Sequence, residues 1–299
     1  MRETVRGGVE TVRDAVAAAT GLLRAAALEE PAREARELLV SLLDVPASWV
    51  TLHGDEPLPG DVRERLVAAA RRRARGAPAQ YATGRAAFRH LVLEVDERVL
   101  IPRPETELLV DLALAGLDAG GIAVDVGTGS GCIALALASE GSFDRVVATD
   151  VSADALAVAG ANARVLASVL RSPVELRQGS LLGPVRGTRA RVVVSNPPYI
   201  APSEAAALPR EVRDWEPPLA LYSGSEGMAH IARLVREAAM VLEPGGRLAM
   251  EVDSRRASLA AELVAADGRY ERVEVRLDLT GRERYVLARR RAGGAGSDA

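Results

Sequence analysis

The 299-residue sequence predicts an α/β fold, with an open, doubly wound, mainly parallel sheet of seven strands, an N-terminal helical bundle domain and a β-hairpin linker. Three observations predict it. From Gly121 onward, short apolar strands alternate with helix-length segments. A glycine-rich turn, GTGSG, joins the first of those strands to the first of those helices. Residues 1–80 instead carry helical periodicity and no strand signal.

Val9 to Leu28 repeats apolar residues at three-to-four spacing through an Ala-rich run, which favours helix. Pro31 suits the first turn of a second helix with Ala35, Leu38, Leu39 and Leu42 on its apolar face. Asp61 is read as the N-cap of a third, VRERLVAAARRRARG, which stops at Gly76 and Pro78. Short helices with short loops make a small bundle, and Arg71-Arg72-Arg73 reads as a solvated helix face. In the linker, 81–109, FRHLVLEVDERVLIP alternates like two strands around an Asp96-Glu97 turn. Pro102 and Pro104 then precede a helix in TELLVDLALAGL. Within 110–291 the strands are IAVDV, RVVATD, VELRQ, ARVVVS, RLAMEV, YERVEVRLDL and RYVLARR. Between them lie CIALALASE, SADALAVAGANARVLAS capped by Ser152, and a long helix in GMAHIARLVREAAMVLEPGG with a glycine stop. The last two strands follow each other closely and are expected to pair antiparallel at one edge. The polar tail, 292–299, is expected to be disordered.

Composition removes several chemistries. The net charge of −3 gives no footprint for duplex nucleic acid. All 38 basic residues are Arg, so no lysine base or Schiff base is available. Cys132 is the single cysteine and only three His are present, so neither a disulfide framework nor a metal site is expected. No apolar run is long enough to span a membrane, and the opening MRETVRGGVETVRD lacks the apolar core of a secretory signal. A soluble cytoplasmic protein is the expectation.

The first chemical signal is Asp125-Val126-Gly127-Thr128-Gly129-Ser130-Gly131, set between a strand and a helix. Glycines there let a ligand approach backbone where a Cβ would clash. Asp150 ends the next strand, where a carboxylate can accept hydrogen bonds from ribose hydroxyls. Together these predict a nucleotide-type cofactor on a Rossmann-like sheet. The third glycine comes one residue earlier than in the dinucleotide fingerprint, and Asp125 precedes the loop. Both features favour S-adenosylmethionine, whose carboxylate would meet the helix N-terminus. Cys132 reads as a small packed hydrophobe.

The second signal is Ser195-Asn196-Pro197-Pro198-Tyr199-Ile200, directly after an apolar strand. Two prolines force an extended exit at the edge of the sheet where ligands bind in such folds. The stretch resembles the signature of methyltransferases that act on planar amide or amine nitrogens. Such a nitrogen is a poor nucleophile because its lone pair is delocalised, so it needs positioning more than proton removal. The Asn196 side-chain oxygen can accept one N–H and the Pro197 carbonyl the other, with Tyr199 against the planar group. Positioning of this kind is worth about 7–11 kcal/mol of barrier.

With these residues in hand, the chain resembles the release-factor glutamine methyltransferases, which are class I methyltransferases. The blocks are PAQYATGRAAF (78–88), VLIPRPETELLV (99–110), DVGTGSGCIALALA (125–138), SNPPYI (195–200) and EVRDWEPPLAL (211–221). The resemblance implies methylation of the glutamine side-chain nitrogen (N5) in the Gly-Gly-Gln loop of peptide chain release factors. It implies that 127–131, Asp125, Asp150 and Asn196 bind S-adenosylmethionine, with Ser180 and Leu181 beside the adenine. It implies that Asn196, Pro197, Pro198 and Tyr199 take the substrate glutamine. The helical segment 1–80 would grip the release factor, and 101–107 would lie over the cofactor pocket. The chain departs from the family at Ser180-Leu181, where an acidic residue and an aromatic are common, at 222–228, and at 253–256. Two other readings share these residues: a glutamine methyltransferase of a ribosomal or other protein, and an adenine N6-methyltransferase. The second would also need a basic face and a base-flipping domain.

Overall fold

A computed structural model of the chain describes residues 10–224 and 227–292. Two units divide it. One takes the chain up to Ala86 together with Pro209–Trp215, and the other takes Ala87–Leu208 together with the chain from Glu216 onward. The strip Pro209–Trp215 folds with the helical unit although it lies inside the 110–291 stretch in sequence.

The helical unit contains α1 (Val12–Ala25), α2 (Pro31–Leu43), α3 (Ala47–Leu52), α4 (Gly60–Ala74) and α5 (Ala79–Thr83). Thr11 and Asp14 start α1 with a reciprocal capping box, each side chain accepting from the other's backbone N–H. Val12, Ala15, Ala19 and Leu23 of α1 pack with the α2 stripe Ala35, Leu38, Leu39 and Leu42 and with Leu66 of α4. Asp61 is not the N-cap of α4. The helix opens two residues earlier, at Gly60 after Pro59, and Asp61 sits in its first turn, where its charge favours the positive end of the helix dipole. Nor is the arginine run wholly solvated, because Arg73 is half-buried and pairs with Glu34 and Glu211.

The chain passes into the second unit within β1 (Arg85–Phe88), which pairs with β2 (Leu91–Glu94). The turn between them is Arg89-His90, not Asp96-Glu97. Arg89 holds a left-handed φ of 55° and is fixed there from a distance. Its N–H donates to Glu107 and its guanidinium to Glu140, Asp111 and the Glu107 carbonyl. Asp96 instead closes a local turn by accepting from the Arg98 N–H at 3.0 Å.

The remaining elements are α6 (Pro104–Leu114), β3 (Ile122–Val126), α7 (Cys132–Glu140), β4 (Arg145–Asp150), α8 (Ala153–Val165), β5 (Val174–Gln178), β6 (Ala190–Ser195), α9 (Arg210–Trp215, in the helical unit), α10 (Pro218–Leu221), α11 (Ala229–Val241), β7 (Leu242–Glu251), α12 (Ala257–Ala266), β8 (Tyr270–Leu277) and β9 (Glu283–Arg290). The seven-stranded sheet runs β5-β4-β3-β6-β7-β9-β8. The β5-β4-β3-β6-β7 ladders are parallel, and β9 pairs antiparallel with both β7 and β8. The chain therefore winds outward from β3 to β5, returns to β6, and winds the other way.

The helix before β7 ends at Val241 without a glycine stop. Leu242 already pairs with Ala190, and the register then jumps so that Val192 faces Arg247. Residues 243–246 are the bulge that absorbs the jump. A Cβ on Gly246 would lie 3.0 Å from the Ala190 carbonyl oxygen, so the glycine serves a close backbone approach. Buried Val124, Val147, Val193 and Leu248 of the sheet pack with Leu234 of α11 and Val264 of α12. No helix among the described residues is long and apolar enough to cross a membrane. The expected disorder of the tail falls, apart from residue 292, outside the described residues.

Candidate functional site

The winding direction reverses between β3 and β6, and ligands bind at that crevice in open α/β sheets. Both sequence signals lie there. Val126 and Ser195, the last residues of the two strands, are register partners, and the Ser195 hydroxyl donates to the Val126 carbonyl at 2.7 Å.

The loop after β3 folds tightly because Gly127, Gly129 and Gly131 all hold positive φ, of 75°, 54° and 86°. The N–H groups of Gly127 and Thr128 both donate to the Thr149 carbonyl, and Gly131 donates back to Thr128. Asp125 is fully buried beneath the loop. Its Oδ2 accepts from the Thr128 hydroxyl at 2.6 Å and from the Ala134 N–H at 3.1 Å. Its Oδ1 is buried with no hydrogen-bond partner among the described residues. Desolvation pushes this carboxyl up to about 7, against the pull of those two donors. Buried Asn162 of α8 supports the loop from the other side, donating to the Ser130 carbonyl and, with its remaining hydrogen bonds, holding the Glu94 backbone. Asp150 accepts from the Gly129 N–H through Oδ2 and from the Ser152 N–H through Oδ1, both at 2.9 Å. Each oxygen keeps a further lone pair.

The turn after β6 is braced differently. Asn196 Nδ2 donates to Thr106 Oγ1 at 3.1 Å, and the Thr106 hydroxyl donates to Glu251 Oε2 at 2.7 Å. Both Thr106 and Glu251 are buried. Desolvation pushes Glu251 up to about 7. Beyond the prolines, the Ile200 N–H donates to the Leu221 carbonyl and the Ser223 N–H to the Ile200 carbonyl, which ties the turn to α10. Tyr199 packs against the sheet core, and burial pushes its phenol up.

Between the loop and the turn lies a cavity of about 250 Å³. Of the residues singled out from the sequence, Gly127, Gly129, Asp150, Ser180, Leu181, Asn196 and Pro198 line it. Asp125, Thr128, Ser130 and Gly131 stand behind that lining as the frame of the loop, and Pro197 is buried. A Cβ on Gly131 would come within 3.2 Å of Ala159 and Leu135, so this glycine fits the loop to the helices. Around Gly127 and Gly129 a Cβ would meet nothing within 4 Å, so they leave an open cradle on the cavity side. From the block at 99–110, Val99 and Leu100 reach the cavity, while Thr106 points to Glu251. Arg103 pairs with buried Glu216, the residue before lining residue Pro217. Ser180 is held by Arg233, and the Leu181 carbonyl accepts from Thr149. Cys132 is half-buried, and desolvation pushes its thiol up to about 12, so it is an inert neighbour. Motif reading did not single out Asn162, Glu251 or the lining residue His230, and gave Thr106, inside the 99–110 block, no role of its own. His230 lies against the cavity with its Nδ1 2.7 Å from the Ser223 hydroxyl.

The cradle, the carboxylate at the end of β4 and the apolar walls fit a nucleoside with an amino-acid tail. α7 opens after Gly131 without a capping side chain, and its Ala134 N–H is already taken by Asp125. Comparison with known proteins agrees in kind. A family model described as PrmC N-terminal domain matches residues 14–84, and one described as Methyltransferase small domain matches residues 104–210. The release factor glutamine methyltransferase of Cereibacter sphaeroides is 42% identical over 92% of this chain and 97% of its own. The one from Deinococcus radiodurans is 41% identical over 94% of this chain and 99% of its own. Among solved structures, a methyltransferase from Pyrococcus furiosus shares the fold, with a TM-score of 0.52 at 22% identity over 68% of this chain and 90% of that one.

Proposed function

The chain belongs to the release factor glutamine methyltransferase family, and from that premise we propose that it methylates the side-chain nitrogen (N5) of the glutamine in the Gly-Gly-Gln loop of a peptide chain release factor. Its methyl donor is S-adenosylmethionine, which when bound supplies an electrophilic methyl on a sulfonium sulfur. Gly127, Gly129, Asp150, Ser180 and Leu181 would hold that donor in the cavity they line. Asp125, Thr128, Ser130 and Gly131 would act one layer back, by keeping the loop in shape.

The observation that carries the mechanism is the orientation of Asn196. Its Nδ2 is engaged by Thr106, so Oδ1 is the end left to accept an N–H from a substrate amide. Pro197 has no N–H of its own, and its carbonyl is the second acceptor proposed for that amide. The two prolines hold the turn extended, and Pro198 would give the planar group a surface, with Tyr199 packed behind it against the sheet core. Two fixed acceptors aim the nitrogen lone pair and favour the positive charge that grows on nitrogen during transfer. In the balanced reaction the nitrogen–carbon bond forms as the carbon–sulfur bond breaks, the sulfur keeps the electron pair, and the surplus N–H proton leaves to water. The substrate proposed is a protein and not a nucleic acid, in keeping with the acidic chain. The helical segment 1–80 is its proposed grip, and the cytoplasm, where translation occurs, is where the two meet.

The test is methyl transfer in vitro. The protein is incubated with methyl-labelled S-adenosylmethionine, purified release factors, ribosomal proteins and nucleic acid, and the products are mapped by mass spectrometry. One added methyl on the Gly-Gly-Gln glutamine is the expected result. Label confined to a ribosomal protein or to nucleic acid overturns the assignment.

A further inference from the structure

Asn196 can present either end of its amide, and only one end suits the reaction proposed above. Its neighbours settle which. A threonine hydroxyl has one proton to give and lone pairs to accept with, and a carboxylate can only accept. Thr106 therefore gives its proton to Glu251 at 2.7 Å, and its oxygen is left to accept from Asn196 Nδ2 at 3.1 Å. Each hydrogen bond in the chain dictates the polarity of the next.

We propose that Glu251 and Thr106 form a positioning relay that fixes which end of the Asn196 amide faces the substrate nitrogen. The proposal rests on the reading of Asn196 as an acceptor for the substrate N–H. With Glu251 ionised, the relay runs from Asn196 Nδ2 through Thr106 to the carboxylate, and Oδ1 faces the cavity. With Glu251 protonated, the carboxyl can donate to Thr106, the Thr106 proton is released toward Asn196 Oδ1, and the amide reverses. Donor then faces donor, and the glutamine amide is repelled. Neither relay residue touches the substrate.

The setting makes the charge of Glu251 responsive. The N-cap of α6 contributes Arg103 and its first turn Glu105, β9 contributes Arg284 and Tyr285, the turn contributes Tyr199 and α7 contributes Cys132. Burial raises the carboxyl and Glu105 adds to the rise, while the Thr106 hydrogen bond, Arg284 and Arg103 oppose it, leaving the group at about 7. The relay therefore changes polarity near neutral pH.

The experiment measures single-turnover methylation of a release factor, S-adenosylmethionine affinity by calorimetry, and Tm. It compares wild type with Thr106→Val, Thr106→Ser, Glu251→Gln and Asn196→Ala, each across neutral pH. Thr106→Val keeps the volume and removes the relay, so the rate should fall about 10- to 100-fold with cofactor affinity nearly kept, while the buried Glu251 left without its donor lowers Tm. Thr106→Ser, which restores the hydroxyl, should recover most of it. The wild-type rate should rise with pH through about 7, and Glu251→Gln should flatten that rise at a reduced rate. Thr106→Val at the wild-type rate beside an inactive Asn196→Ala overturns the relay and leaves the reading of Asn196 intact. A fully active Asn196→Ala overturns that reading and the relay with it. If Thr106→Val loses cofactor affinity in step with rate, or if Glu251→Gln keeps the wild-type pH profile, Thr106 and Glu251 are structural and the relay is wrong.

Discussion

The loop after β3 and the turn after β6 sit side by side at the ends of paired strands, and each stands on a buried carboxylate reached through a threonine hydroxyl. Asp125 holds Thr128 at 2.6 Å, and Glu251 holds Thr106 at 2.7 Å. Burial pushes both carboxyls up to about 7. The difference lies in what is held and from how far. Asp125 holds the Thr128 side chain and the Ala134 N–H within nine residues of itself, and the loop's other supports, Thr149, Asp150 and Asn162, hold backbone. Glu251 and Thr106 come from β7 and α6 and brace one side chain of a third segment. A site that cradles a ligand with backbone can be built locally, whereas aiming an amide requires partners recruited across the fold.

Two substitutions separate these roles most sharply. Asn196→Ala removes the proposed acceptor and should lower kcat about 10²–10³-fold, since this is the usual scale for deleting one preorganised hydrogen-bonding group. Because the glycine cradle is untouched, S-adenosylmethionine affinity should change far less, as calorimetry can check. Gly127→Val should do the reverse. A branched side chain at a φ of 75° costs about 1–2 kcal/mol of backbone strain and intrudes into the cradle. Cofactor affinity should fall at least about tenfold, since 1.4 kcal/mol is a factor of ten. The rate at saturating cofactor should fall by a smaller factor than in Asn196→Ala. Equal losses of affinity and rate in both variants would mean that loop and turn act as one structure.

The same contrast explains what could be read in the sequence. Asp125, the three glycines and Asp150 were legible because the loop is a local device with its own spacing. The Asn-Pro-Pro-Tyr turn was legible because proline chemistry is local too. Asp96-Glu97 looked like a hairpin turn because its residues favour one, yet Arg89 takes that place through partners on α6 and α7. Thr106 was inside a quoted block, but its role came from Glu251, far along the chain. One signal did exist. Thr106 shares a buried helix face with Leu109, Val110 and Ala113, and Asn162 shares one with Ala155, Val158 and Ala159. A polar residue on an apolar stripe must find a buried partner, although the stripe cannot say which. The bulge in β7 was hidden for a related reason, because Pro-Gly-Gly after a helix reads as a stop until the Ala190 backbone is seen to need Gly246.

The smallest expected effect asks whether the two carboxylates are alike energetically as well as in geometry. In the folded protein both groups hold their proton up to about 7, above the ordinary values of 3.8 and 4.5 that apply to the unfolded chain. Between those values the folded state binds more protons, so stability declines as pH rises through that window and the loss is complete above about 7. The amides in Asp125→Asn and Glu251→Gln do not ionise and escape this loss. Their Tm relative to wild type should therefore climb from acid to neutral pH and then level off, by about 2–5 °C over the window. The absolute offset differs between the two, since each amide reorganises its own hydrogen bonds to Thr128 or Thr106. The pH slope does not depend on that offset, which makes it the cleaner comparison. A difference that is flat in pH for one variant would show that its carboxylate ionises at the ordinary value despite burial. At Glu251 that result would also move the relay's change of polarity to acid pH.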